Sequence, residues 1–168
     1  ARAAAALAAQ SARDDRCPDA RDLAMRLAER ALGVGDSDRA VQACAFLAAG
    51  RDGVPRDSRM PCARAHAFVG DVATAASLLE ATVADAGPDR GARIRALVAA
   101  ARVLEERYRF EAASGFLGRA VRESPDDPEL AVRWIESLLE AGRAAEAGEA
   151  ATQVASRLPA LSRYLAKR

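Results

Sequence analysis

The fold is decided by two segments, residues 110–125 (FEAASGFLGRAVRESP) and residues 144–159 (AAEAGEAATQVASRLP). Both lie inside the stretch Ile94–Leu161. The two segments stand 34 positions apart, so that Ala113 matches Ala147 and Pro125 matches Pro159. Each alanine lies midway along a run with helical apolar spacing, and each proline closes that run. A fixed period of this length is typical of stacked helical hairpins, in which no unit buries its apolar face alone. The pattern predicts an all-α repeat protein and favours a binding role.

A second marker, the turn between the two helices of each unit, extends the period towards the N-terminus. Glycine is expected in that turn because a helix that ends in a left-handed residue is unstrained when the residue has no Cβ. The turn is filled by Gly35-Asp36, Gly70-Asp71, Tyr108-Arg109 and Gly142-Arg143. The alanine five positions further on is Ala40, Ala75, Ala113 and Ala147, at spacings of 35, 38 and 34. The longest spacing contains Gly87–Gly91, which we interpret as a loop insertion.

The composition excludes several classes of protein. Hydrophobic residues make up 51% of the 168 residues but aromatic residues only 4%, and alanine, which favours closely packed helices, supplies much of the difference. The net charge of +1 reflects balanced arginine and acidic residues, with Lys167 the only lysine, a bias typical of GC-rich bacterial genomes. Without a basic block, a nucleic-acid-binding surface is not expected. No apolar run is long enough to predict membrane insertion.

The first ten residues, Ala1–Gln10, lack the basic and strongly apolar regions of an intact signal peptide. The compartment stays open on this basis, with the bacterial cytoplasm favoured and the periplasm or cell envelope as the alternative. No motif indicates an enzyme, a cofactor or a metal. His66 is the only histidine, and Gly33-Val34-Gly35 has Asp38 where a dinucleotide-binding loop needs its third glycine. We therefore expect no catalytic residues.

The chain resembles the tetratricopeptide repeat family. The residues that carry the resemblance are Trp134, Ala147 and Pro159 in the last repeat and Leu97, Ala113, Ala120 and Pro125 in the repeat before it. The resemblance implies a right-handed α-solenoid of antiparallel helix pairs. Its expected repeats are residues 21–54, 56–89, 94–127 and 128–161, with an N-terminal helix at 1–19 and a further helix at 160–168.

The prolines refine these boundaries. Pro61 falls inside the expected first helix of the second repeat, so that helix is predicted to begin late, near Ser58–Pro61. Pro18-Asp19 matches Pro125-Asp126, so Arg2–Arg13 is predicted to be the second helix of a partial repeat. The chain is therefore expected to be a segment of a longer array, or else its end helices serve as caps.

The resemblance also implies a partner-binding groove lined by the first helix of each repeat. Each first helix offers an apolar residue with an arginine close by, which suits a protein or peptide partner with apolar and acidic residues. The predicted groove residues are Met25, Arg26, Glu29, Met60, Arg64, Phe68, Val98, Arg102, Glu105, Val132, Arg133 and Glu136. The alternative is that they form ordinary solvated helix faces. Chaperone-type carboxylate clamping is not expected, because the chain has no asparagine. Trp134 is expected in the core.

The cysteines leave three alternatives open: small buried residues, a disulfide, or a metal site. Cys44 and Cys62 fall on consecutive helices of neighbouring repeats, which are expected to pack together, so that a disulfide between them is predicted as an option. Cys17, Cys44, Cys62 and His66 would formally make a zinc set. The sequence thus predicts a non-enzymatic interaction scaffold within a bacterial assembly. The alternatives are a sensor or oligomerisation segment of a larger regulator and a metal- or redox-responsive module.

Overall fold

The computed structural model describes residues 18–50 and 52–158, and within them the protein is all-α, with no β-strand. The helices described are α1 (Pro18–Gly33), α2 (Ser37–Ala48), α3 (Arg56–Phe68), α4 (Val72–Ala84), α5 (Arg90–Glu105), α6 (Phe110–Glu123), α7 (Pro128–Glu140) and α8 (Ala144–Arg157). Their lengths, 12 to 16 residues, are those of ordinary globular helices. The all-α prediction is therefore confirmed.

Four of the helices begin at an aspartate that caps them. The side chains of Asp36, Asp71, Asp89 and Asp127 accept hydrogen bonds from backbone N–H groups in the first turns of α2, α4, α5 and α7. Such a cap satisfies a donor that has no partner within the helix. Pro128, directly after Asp127, lies in the first turn of α7, where proline is tolerated.

One turn geometry recurs between the helices of each predicted pair. The residue after the turn donates its N–H to the carbonyl five positions back, from Asp36 to Ala31, from Asp71 to His66, from Arg109 to Leu104 and from Arg143 to Leu138. The residue before each donor has a left-handed φ: 77° at Gly35, 85° at Gly70, 56° at Tyr108 and 75° at Gly142. These features form a Schellman-type helix end. The helical architecture is therefore repeat-like.

The chain divides into two compact units, Ala1–Asp85 and Ala86–Arg168. We call them unit 1, which contains α1 to α4, and unit 2, which contains α5 to α8. In unit 1 a buried cluster of mainly alanine side chains joins α1, α2 and α3, and it includes Cys44, Leu47 and Cys62. In unit 2 a cluster joins α7 and α8 and includes Ile135, Leu138 and Val154. Trp134 is half-buried and packs against this second cluster.

Two predicted boundaries differ from the structure. The prediction that α3 begins near Ser58–Pro61 was wrong, because α3 already begins at Arg56 and contains Pro61. Pro61 lies in the second turn of α3, where it removes the N–H that would bond to the carbonyl of Asp57. α1 begins at Pro18, inside the segment expected to end at residue 19. The predicted helices at Arg2–Arg13 and 160–168 lie outside the described residues.

Candidate partner-binding face

The predicted groove residues lie on α1, α3, α5 and α7, the helix before each left-handed turn. We call these twelve residues the first-helix face. All twelve side chains are exposed or half-buried. By contrast, the alanines that follow the four turns, at positions 40, 75, 113 and 147, are buried on α2, α4, α6 and α8. Buried side chains lie on both helices of each pair, and the residues of the first-helix face lie on the accessible side of the first helices.

In unit 2 the structure brings two members of the first-helix face together. Nη2 of Arg133 on α7 donates to Oε2 of Glu105 on α5, and both side chains are partly buried. Nε of Arg102 on α5 lies 3.4 Å from Oε1 of Glu106, the residue that caps the end of this helix. Both arginines of the first-helix face in unit 2 therefore already contact carboxylates of the protein itself. A partner carboxylate at Arg133 would have to compete with Glu105.

In unit 1 the first-helix face combines basic and apolar side chains. Arg26 donates from Nε to the carbonyl of Asp22 at 3.4 Å, which holds its guanidinium along α1. Phe68, at the end of α3, is 39% exposed. Met25 and Met60 are half-buried and Arg64 is exposed. An aromatic ring and methionines at half-buried positions can adapt to an apolar partner surface.

Sequence reasoning missed other exposed apolar side chains. Leu23 and Leu27 on α1 are 64% and 47% exposed. They stand four residues apart on one side of the helix, beside the buried stripe of Ala24, Ala28 and Ala31. Tyr108 is 83% exposed, and its ring centroid lies 6.1 Å from that of Phe110. The signal available for the leucines was their i,i+4 spacing, but apolar periodicity does not separate a packed stripe from an exposed one.

Ion pairs link helices elsewhere in each unit. In unit 2, Nε and Nη2 of Arg93 on α5 contact the two carboxylate oxygens of Glu123 on α6 at 3.1 and 2.9 Å. This bidentate hydrogen bond holds the pKa of Glu123 below its usual value and raises the pKa of Arg93. In unit 1, Arg59 on α3 contacts the carboxylate of Asp85 and the carbonyl of Ala81, both from the end of α4. These contacts hold neighbouring helices of each unit against one another.

Three of the four residues of the formal zinc set contact other side chains. The sulfurs of Cys44 and Cys62 are joined in a disulfide, so neither is a free thiolate ligand. Nδ1 of His66 lies 3.0 Å from Oδ2 of Asp71, and Cys17 lies outside the described residues. Hydrogen bonds from Thr74, and to a smaller degree the contact with His66, lower the pKa of Asp71. Among the described residues, no group of three or more histidine, cysteine or acidic side chains is placed to hold a metal ion.

The described part of the chain contains no helix that is both long and apolar enough to cross a membrane. These features define an all-α protein with a repeat-like helical architecture, in which the first helix of each pair carries solvent-accessible side chains. No protein-family model, curated protein or solved structure matches this chain.

Proposed function

We propose that the protein is a non-enzymatic interaction scaffold, in which antiparallel helix pairs of each unit stack as in a right-handed tetratricopeptide-type α-solenoid. Its ligand is a protein segment that contacts the first-helix residues of unit 1 or those of unit 2. The observation that carries the proposal is that apolar side chains and arginines lie together on the first-helix face, where all twelve side chains are exposed or half-buried. The same turn hydrogen bond recurs in every described helix pair, which supports a series of similar helix pairs.

The chemistry of the first-helix face suggests the kind of segment that would bind. Its twelve side chains are five apolar residues, four arginines and three glutamates, one of which is paired with Arg133. A segment with both apolar and acidic residues would complement the apolar residues and the arginines. Arg26, Arg64 and Arg102 are exposed, whereas Arg133 is partly buried against Glu105. We therefore assign the main electrostatic contribution to Arg26, Arg64 and Arg102, and the apolar contribution to Met25, Met60, Phe68 and Val98.

Affinity capture from an extract of the native cells tests this function. The full-length chain is compared with a face variant, Arg26→Glu, Arg64→Glu and Arg102→Glu, which leaves the Arg133–Glu105 pair intact. A matched control variant carries Arg39→Glu, Arg122→Glu and Arg157→Glu, at exposed positions on α2, α6 and α8. Both variants change the net charge equally. A partner kept by the native chain and the control but lost by the face variant supports the proposal, and a partner kept by all three contradicts it.

Self-association is a second candidate function, and the exposure of Leu23 and Leu27 favours it. An exposed leucine pair on one helix is an apolar surface that a second copy of the chain could cover. Sedimentation of the full chain over a range of concentrations tests this candidate. Dimers that disappear in a Leu23→Ser, Leu27→Ser variant support it, and a monomer at every concentration contradicts it.

A further inference from the structure

A covalent bond fastens two helices of unit 1 that the left-handed turns do not join. Cys44 lies on α2 and Cys62 on α3, 18 positions apart in the sequence. Their Cα atoms are 5.5 Å apart, which is within the range that a disulfide spans without backbone movement. Cys44 is 1% exposed and Cys62 is 0% exposed. The bond therefore lies inside the core that joins α1, α2 and α3.

The two units differ in the size of their buried side chains. Apart from alanine and the disulfide cysteines, the buried hydrophobic residues described in unit 1 are Leu47, Leu79 and Val83. Unit 2 buries many more large side chains: Leu97, Val103, Leu104, Phe116, Leu117, Val121, Leu130, Ile135, Leu138 and Val154. An alanine removes little apolar surface from water, so a core built mostly of alanine contributes less to folding than one rich in leucine. Small structures with thin cores commonly need a covalent crosslink.

We propose that the Cys44–Cys62 disulfide is a permanent structural crosslink on which unit 1 depends, and that the chain therefore matures in an oxidising compartment. This inference is independent of what the first-helix face binds. In its formation the two thiols lose two protons and two electrons to a disulfide-bearing oxidoreductase, whose own disulfide becomes a dithiol. The exchange passes through a mixed disulfide between one cysteine of the chain and the oxidoreductase.

Burial distinguishes a permanent crosslink from a redox switch. A thiolate must reach one sulfur of the disulfide in line with the bond before it can break it. With both sulfurs inside the core, α2 and α3 must first separate, so reduction of the folded protein waits for opening of unit 1. Disulfides of this kind persist in secreted and periplasmic proteins, whereas glutathione and thioredoxin keep thiols reduced in the cytosol. The crosslink thus favours the periplasm or cell envelope over the cytoplasm.

Counting thiols in protein taken from its native cells tests whether the Cys44–Cys62 crosslink is present there. The cells are quenched in acid, and the denatured full-length chain is alkylated before and after reduction and analysed by mass spectrometry. The chain has three cysteines. We expect Cys44 and Cys62 to be alkylated only after reduction. Alkylation of all three cysteines before reduction overturns the proposal.

Hydrogen exchange on the whole chain tests whether unit 1 depends on the crosslink for its stability. The native protein is compared with a Cys44→Ala, Cys62→Ala variant, and a Cys17→Ala variant that keeps the crosslink serves as the control. For a loop of this size, loss of the bond should lower amide protection in α2 and α3 by about a hundredfold. Protection in α7 and α8 should stay the same, which shows that unit 2 remains folded. Equal protection of α2 and α3 in all three proteins overturns the dependence of unit 1 on the bond.

Discussion

Replacing Gly118 by alanine should destabilise unit 2, whereas the same replacement at Gly115, one turn earlier on α6, should stabilise it. A Cβ at residue 118 would lie 3.0 Å from Nε1 and 3.3 Å from Cε2 of Trp134 on α7. A Cβ at residue 115 meets no atom within 4 Å. The two substitutions are chemically identical and lie on one helix, so their difference isolates the packing of Trp134 against α6.

The magnitude follows from two opposing contributions. Alanine inside a helix is favoured over glycine by roughly 0.5–1 kcal/mol, and this gain applies at both positions. Overpacking a close contact costs about 1–3 kcal/mol, and this cost applies only at Gly118, because the rigid indole must shift by a few tenths of an ångström. Gly115→Ala should therefore gain about 0.5–1 kcal/mol. Gly118→Ala should lie about 1–3 kcal/mol below it, at or under the native stability.

Urea unfolding followed by fluorescence measures both variants in the full chain. Trp134 is the only tryptophan, so its emission reports on unit 2. Because it lies at the site of the predicted contact, Gly118→Ala should also shift its emission in the folded state, and Gly115→Ala should not. If both variants gain the same stability and leave the emission unchanged, the contact between α6 and the indole is refuted.

Three further predictions concern packing, hydrogen bonding and pH. Ala147→Leu should lose about 1–3 kcal/mol of unfolding free energy because Ala147 is buried between helices. Glu149→Gln, exposed on the same helix, should change stability by less than about 0.5 kcal/mol, and equal effects in urea unfolding would contradict the repeat alignment. Ser58 is buried and its hydroxyl has no hydrogen-bond partner among the described residues, so Ser58→Ala should leave stability unchanged or raise it. Ser114→Ala, which removes the 2.8 Å hydrogen bond to the carbonyl of Glu111, should lose about 1 kcal/mol, and calorimetry that gives the reverse order would refute this assignment. Because the pKa of Glu123 is lower in the folded protein than its ordinary value of 4.5, the contribution of its pairing with Arg93 is present above that pH and is lost as the pH falls below it. A pH series of unfolding curves should therefore show a shallower acid loss in Glu123→Gln than in the native chain, and identical slopes would count against the pairing.

The sequence predicts the helical content well because its signals are local. Proline and the left-handed turn residue mark helix ends through the backbone angles that they allow or require. The register identified even Tyr108 as a turn residue, although its residue type alone does not favour a left-handed φ. Pro61 shows the limit of such local reasoning. The rule that proline starts helices placed the beginning of α3 five residues late at most. The turn before Pro61 is held by the burial of Ser58 and by the contacts of Arg59 with Ala81 and Asp85, which offset one lost backbone hydrogen bond.

Features of the candidate site that depend on distant residues could not be predicted in the same way. Arg133 meets Glu105 from a helix 28 positions away, and Arg93 meets Glu123 across 30 positions. Sequence spacing within one helix reveals neither pair, because the two partners lie on different helices. Charged residues are also abundant along the whole chain, so no single residue stands out as a partner. The exposure of Leu23 and Leu27 likewise depends on which neighbour covers α1. Sequence reasoning could place side chains on a helix but could not say which neighbouring side chains engage them.

Photo-crosslinking in the native cells tests the binding role of the first-helix face most directly. A photoreactive phenylalanine analogue replaces Arg64 or Arg102 on the face, and in the matched proteins it replaces Arg122 or Glu149, which are exposed on α6 and α8. We expect a discrete partner protein to be crosslinked from positions 64 and 102 and not from positions 122 and 149. Crosslinks that form only from positions 122 and 149, or that form equally from all four, would contradict the account.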